Sequence, residues 1–200
     1  WEYSPTLVGQ YLIYKLHKDK IVEEDIEAIK ANADYLVKTA IERKIDDIEF
    51  VVWHFDFAHP TFDAPVGWIS SMTNGICAAA LLEASEVIFD KANIYRDTAL
   101  KAARAFMVKT ENGGVMSKIT EDKYFFEEGA YSEIDSAHIL NGNFYGMMGL
   151  KTVAVLDSQL LQTYEKGIAG TIELLNRYDS GFISLYDGKV SRLAPRDRKS

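Results

Sequence analysis

The run Tyr124-Phe125-Phe126-Glu127-Glu128 ends in two adjacent acids beside two aromatic rings. In an extended strand neighbouring side chains face opposite ways, so only one of the two glutamates enters a given cleft. A partly desolvated Glu next to Phe125 and Phe126 has its pKa raised toward that of a useful general base; a solvated acidic pair at a hairpin end is the plainer account. Three further segments hold groups suited to chemistry. Gly67-Trp68-Ile69-Ser70-Ser71-Met72-Thr73-Asn74-Gly75 leads into a long helix, whose free N–H groups suit a carboxylate or sulfate. Ordinary capping beside a buried Trp68 is the alternative there. Ala137-His138-Ile139-Leu140-Asn141-Gly142-Asn143-Phe144-Tyr145-Gly146 holds a candidate base, His138, and glycines at 142 and 146, with Gly149 beyond. Each helical glycine costs roughly 1 kcal/mol relative to Ala, so this spacing predicts close helix approach or room for a ligand. Arg177-Tyr178-Asp179, and later Tyr186-Asp187, supply phenols near a cation. A Tyr so placed acts as an acid or stabilises developing negative charge, unless it simply packs on a hairpin. No second His stands at metal-ligand spacing, so no metal site is expected.

Helices must position these groups. Ser4-Pro5-Thr6 opens a first helix, with Ser able to cap and Pro suited to an early position. Glu23-Glu24-Asp25 starts a second, followed at helical spacing by Ile26, Ile29, Ala33, Leu36, Val37 and Ala40 and closed by Arg43-Lys44. The β-branched and aromatic run from Ile48 to Phe55 reads as extended, and a loop through His59-Pro60 ends at Pro65. Helices are predicted from Ser70 to about Phe89 and from about Tyr95 to Thr110. Asn112-Gly113-Gly114 then turns into a hairpin of Val115–Ile119 and Tyr124–Phe126. His138–Leu156 and Ser158 to about Arg177 form another helix pair, and Phe182–Tyr186 before Asp187-Gly188 suggests a second small hairpin. No Gly-rich phosphate loop, βαβ alternation or short repeat is present. The pattern predicts an all-α fold, a helical-hairpin array of the α/α-barrel or toroid type with short β-hairpins at one end. About six helices make only part of a closed ring, so the toroid is read as incomplete. Residues 1–200 are read as one domain.

Composition narrows the function classes. Hydrophobic residues at 48% and charged residues at 26% exclude a disordered or collagen-like chain. No run of about 18 uncharged apolar residues predicts a transmembrane helix. Trp1-Glu2-Tyr3-Ser4-Pro5 lacks signal-peptide order, and a chain opening on Trp reads as a fragment or processed product. The lone Cys77 allows no internal disulfide and no cysteine-based zinc site. A net charge of −8 repels phosphate backbones and argues against nucleic acid as a partner. The 11 Tyr, 10 Phe and 3 Trp serve a core, and Tyr and Trp also line sugar-binding grooves.

Taken in order, the four segments resemble the C-terminal helical domain of the D-glucuronyl C5-epimerases of heparan sulfate and heparosan. The pieces are Gly-Trp-x-Ser-x-Met-x-x-Gly at 67–75, Phe-Glu-Glu at 126–128, Leu-Asn-Gly-x-x-Tyr-x-x-x-Gly-Leu at 140–150, and Arg-Tyr-Asp-x-Gly with a later Tyr-Asp at 177–187. Ser4-Pro5-Thr6-Leu7-Val8-Gly9-Gln10-Tyr11 is similar to the opening of that domain. The resemblance implies inversion of C5 of glucuronate within a polysaccharide, giving iduronate, with no cofactor. Such a reaction needs a base on one face of the ring, a proton donor on the other, and donors around the substrate carboxylate.

By resemblance Glu128 matches the family's catalytic Glu and Tyr186 a catalytic-site Tyr. The Tyr that usually follows the Glu is replaced by Gly129, with Tyr131 close by, and the family's further Tyr is not met by Ser200. The family's N-terminal β domains are not met either. Expected substrate-binding residues are Trp68, Asn74, Asn141, Tyr145, Arg177, Lys189 and Arg192. The tail gathers Lys189, Arg192, Arg196, Arg198 and Lys199 against Asp197, and local fields over a cleft outweigh net charge. The tail and Arg177 are therefore expected to face a uronate-containing polysaccharide. A homodimer is compatible with this reading. Eukaryotic family members act in the Golgi lumen, and nothing in this chain assigns a compartment. Two rivals remain open: a noncatalytic carbohydrate-binding helical module, and a polysaccharide lyase or hydrolase on an α/α toroid. Fold alone does not choose among them.

Overall fold

The computed structural model describes residues 4–59, 64–131, 137–179 and 188. Helix α1, Pro5–Leu16, begins at the proline, whose fixed φ suits a first turn. Helix α2, Glu23–Thr39, begins at the three acids, which complement the helix dipole. It stops at Thr39, short of the predicted Arg43-Lys44. Residues Ile41–Ile45 form strand β1, antiparallel to β2 at Ile48–Val52, with Arg43 opposite Phe50. Two side chains end the helix. Thr39 donates its hydroxyl to Tyr35 O at 2.8 Å, and the Trp53 indole N–H donates to Leu36 O at 3.1 Å. Both carbonyls belong to the last turn, where the Ala40 N–H also reaches Leu36 O at 3.1 Å, and Asp46, at φ 49°, turns the chain into the hairpin.

Helix α3, Ser71–Ser85, is the central element, and α1, α4 (Ala92–Arg104) and α5 (Leu140–Ala154) pack around it. Its Ala and Leu residues are buried on all sides, which explains a sequence without amphipathic rhythm. Small residues set the distance to α5. A Cβ on Gly149 would lie 1.9 Å from Gly75 O, and one on Gly75 would lie 2.5 Å from Gly146 O. The glycines at 146 and 149 are therefore explained by close helix approach.

After α4, single helical turns at Ala105–Met107 and Thr110–Asn112 lead to the second hairpin. Its strands are β3, Met116–Thr120, and β4, Lys123–Phe126, with Met116 opposite Phe126. Helix α6, Ser158–Leu174, packs on α5 and on β4. Phe50, Trp53, Tyr95, Phe106 and Phe126 are buried at the heart of the core. The protein is mostly helical with two small antiparallel sheets, so the all-α description must be widened to include bonded β-hairpins. The predicted hairpin strand Phe182–Tyr186 lies outside the described residues. Among the described residues no single helix is long and apolar enough to cross a membrane.

Candidate active site

Strand β4 does not end freely at Phe126. The Glu127 N–H donates to Val115 O at 2.8 Å, the Ser71 N–H donates to Glu127 O at 2.8 Å, and Ile69 and Ala130 exchange N–H···O bonds of 2.9 and 2.8 Å. The acidic segment is thereby pinned between β3 and the start of α3. Ser71 adds its hydroxyl, donated to Phe126 O at 3.1 Å and to Gly142 O at 3.3 Å. Asn143 accepts from the Phe126 N–H at 3.0 Å and donates to Thr171 Oγ1 at 2.7 Å. Both side chains are fully buried. Sequence reasoning passed over them, although a polar residue inside each helix-leading motif was the available signal.

The two glutamates have opposite surroundings. Glu127 is 1% exposed, and its carboxylate accepts from the His138 ring Nδ1 at 2.6 Å and from the His138 main-chain N–H at 3.1 Å. His138 sits in the left-handed backbone region at φ 49°, and its carbonyl accepts from the Tyr178 hydroxyl. The candidate base of the sequence reading is thus engaged by Glu127. Glu128 is half-buried, and its Oε2 is buried with no hydrogen-bond partner among the described residues. Burial pushes its carboxyl pKa up. The first turn of α5 lies directly against it: a Cβ on Gly142 would fall 2.4 Å from Glu128 Cβ and 2.4 Å from Oε2. Glycine at 142 leaves space for the carboxyl group, which is why the helix tolerates it. A carboxyl group held rigidly, partly dry and without a donor is suited to taking a proton.

The late segment touches the same region at one described point. The Gly188 N–H donates to Ala137 O at 3.1 Å, and a Cβ on Gly188 would lie 3.3 Å from His138 Cβ. Tyr186, Lys189 and Arg192 lie outside the described residues, as do Arg196 and the rest of the tail.

The other expected contacts are dispersed. Trp68 is 5% exposed, stacks on Phe55 at 4.0 Å and donates its indole N–H to Phe57 O at 2.9 Å. Asn74 is fully buried and donates to Val51 O at 2.8 Å and Ala102 O at 3.2 Å, tying β2, α3 and α4 together. Its amide hydrogens are thus spent on core carbonyls, and its Oδ1 is buried with no hydrogen-bond partner among the described residues. Tyr145 lines a hollow of about 390 Å³ with Gln10, His17 and Glu83, away from Glu128. Asn141 and Arg177 are exposed.

Residues 46–199 match the family described as D-glucuronyl C5-epimerase C-terminus. The chain is 28% identical over 190 residues to an uncharacterised protein of Methanocaldococcus jannaschii, an alignment covering 88% of this chain and 60% of that one. It is 25% identical over 188 residues to the D-glucuronyl C5-epimerase of Caenorhabditis elegans, covering 82% of this chain and 28% of that protein. The chain therefore spans less than two thirds of the length of either relative. The match includes β4, Glu128, α5 and Gly188, and so contains the geometry described above. The chain belongs to the D-glucuronyl C5-epimerase C-terminal family.

Proposed function

We propose that this domain inverts C5 of D-glucuronate residues in a polysaccharide, with Glu128 as one base and Tyr186 as the acid or charge stabiliser. The observation that carries the reading is the Glu128 carboxyl group, half-buried against Gly142 with an unpartnered oxygen. In the reaction the C5–H proton passes to the Glu128 carboxylate, and its bonding pair moves toward the substrate carboxylate to give a doubly charged, enolate-like intermediate. A proton delivered to C5 from the opposite face restores the C–H bond with inverted configuration. Overall no electron is gained or lost. Gly188, two residues beyond Tyr186, bonds Ala137 beside His138, which supports bringing the late segment to the lead into α5, the helix whose first turn meets Glu128. We read Arg177 and the basic tail as facing the polymer, and residues 1–200 as one domain whose helix array is part of an α/α toroid.

The test is incubation with heparosan in D₂O. Deuterium gained at C5, and lost in Glu128→Gln and Tyr186→Phe, is the expected outcome. A new unsaturated chain end would replace the reading with a lyase, and binding without exchange would replace it with a noncatalytic module.

A further inference from the structure

Hairpin β1–β2 presents a cation in unusual company. Arg43 is half-buried; it donates from Nη1 to Gly113 O at 2.7 Å and from Nη2 to His54 Nε2 at 2.5 Å. A guanidinium only donates, so that ring nitrogen is the acceptor and the imidazole is neutral. Burial and the adjacent guanidinium both push the His54 pKa down, which agrees with this assignment. Among the described residues no carboxylate lies within ion-pair distance of Arg43. The acids on the two strands of the hairpin pair elsewhere, Glu42 with Lys101 and Glu49 with Lys44, each at 3.3 Å. A partly desolvated positive charge with only neutral partners is costly unless an anion completes it.

The charge borders a hollow of about 320 Å³ lined by Arg43, His54, Thr110, Gly113, Gly114 and Tyr131. Gly113, at φ 83°, lets the Arg43 guanidinium lie against the main chain, Gly114 packs on Val108, and Thr110 and Tyr131 bring a hydroxyl and a ring. That lining suits a hydroxylated ring bearing a carboxylate better than an apolar molecule. Ala130 also lines the hollow. It lies two residues after Glu128 across a bend in the chain, so at most about 7 Å of backbone separates them.

We propose that this hollow is an anionic-sugar subsite, in which Arg43 binds the carboxylate of the next hexuronate along the polymer, one amino sugar removed from the unit that meets Glu128. The inference rests on the epimerase reading for what lies next door, but its test is binding and does not require turnover. Affinity for a short unsulfated heparosan oligosaccharide is measured against a neutral chitin oligosaccharide of equal length. Arg43→Gln should weaken heparosan binding about tenfold or more, the scale of a lost charge-assisted hydrogen bond, and raise KM with kcat largely kept. Because Arg43 also holds Gly113, a second pair avoids that bond. Val66, 59% exposed on the same hollow, is changed to Glu and to Lys; Val66→Glu should weaken and Val66→Lys tighten heparosan binding at low salt, with the chitin oligosaccharide unmoved. Unchanged heparosan affinity in Arg43→Gln and both Val66 variants overturns the subsite, even if C5 exchange continues. Loss of heparosan affinity in Arg43→Gln and Val66→Glu, in a protein that performs no exchange, keeps the subsite and removes the epimerase reading instead.

Discussion

The two β-hairpins share a plan and differ in the charge each leaves unmatched. Both are short antiparallel pairs that follow a helix, and both settle their outer charges in exposed pairs. In the first, Glu42 meets Lys101 and Glu49 meets Lys44. In the second, Lys118 meets Glu121, and Lys123 meets Glu173 at 2.8 Å. What remains in the first is a guanidinium with neutral partners; what remains beyond the second is a carboxyl with an unpartnered oxygen. Exposed pairs contribute little to stability and say little about purpose. Charges kept partly dry and unpaired are the informative ones, because folding alone would have removed them.

Substitutions at the second hairpin should break this contrast most strongly. Glu128→Gln is expected to lower C5 exchange by about 10²–10⁴-fold, the scale of general-base catalysis, without lowering the unfolding temperature; exchange and a thermal melt decide it. Gly142→Ala places a methyl where Glu128 now lies, and misplacing the base should cost about 10²-fold in exchange, although Ala is the better helix former. The neighbouring acid should behave in the opposite way. Glu127→Ala removes the partner of two His138 donors and should cost about 1–3 kcal/mol in urea unfolding. Equal loss of stability from Glu127→Ala and Glu128→Gln would erase the distinction between them.

Proton linkage sharpens the same comparison. Burial raises the Glu128 pKa in the folded state above its unfolded value, so its contribution to stability is complete below the unfolded pKa and is lost as pH rises through the folded one. Glu128→Gln should therefore gain stability over the parent at neutral pH, with the gain vanishing below about pH 4. The acid limb of activity should fall above the ordinary carboxylate range, because the base must be ionised. The smallest effect belongs to the outer pairs: Lys123→Ala, breaking the exposed contact with Glu173, should change unfolding free energy by about 0–1 kcal/mol.

Much of this arrangement was legible before any coordinates. The glycines at 142, 146 and 149 announced close approach, and the turn at Asn112-Gly113-Gly114 placed the second hairpin within a residue or so of β3 and β4. Helix α2 ran too far in the reading because Ile41 and Arg43-Lys44 continue a helical pattern. Pairing with Ile48–Val52 overrode it, and local spacing carries no information about a partner strand. Trp68 and Asn74 are among the expected substrate contacts, and in the fold Trp68 packs on Phe55 while the Asn74 amide donates to core carbonyls. A motif records residue types and not which way they face.

The sequence by itself determined where helices begin, where the second hairpin turns, and that two adjacent glutamates stand beyond its last strand. Those are consequences of caps, turn residues and the two-residue strand repeat, all of them local. Which glutamate is free was decided only in three dimensions, when His138, 11 residues on, engaged Glu127 and the first turn of α5 came to rest on Glu128. The isolation of Arg43 arose in the same way, from a carbonyl 70 residues distant. Whether a charge is matched depends on what packs beside it, and packing joins segments that no sequence window contains.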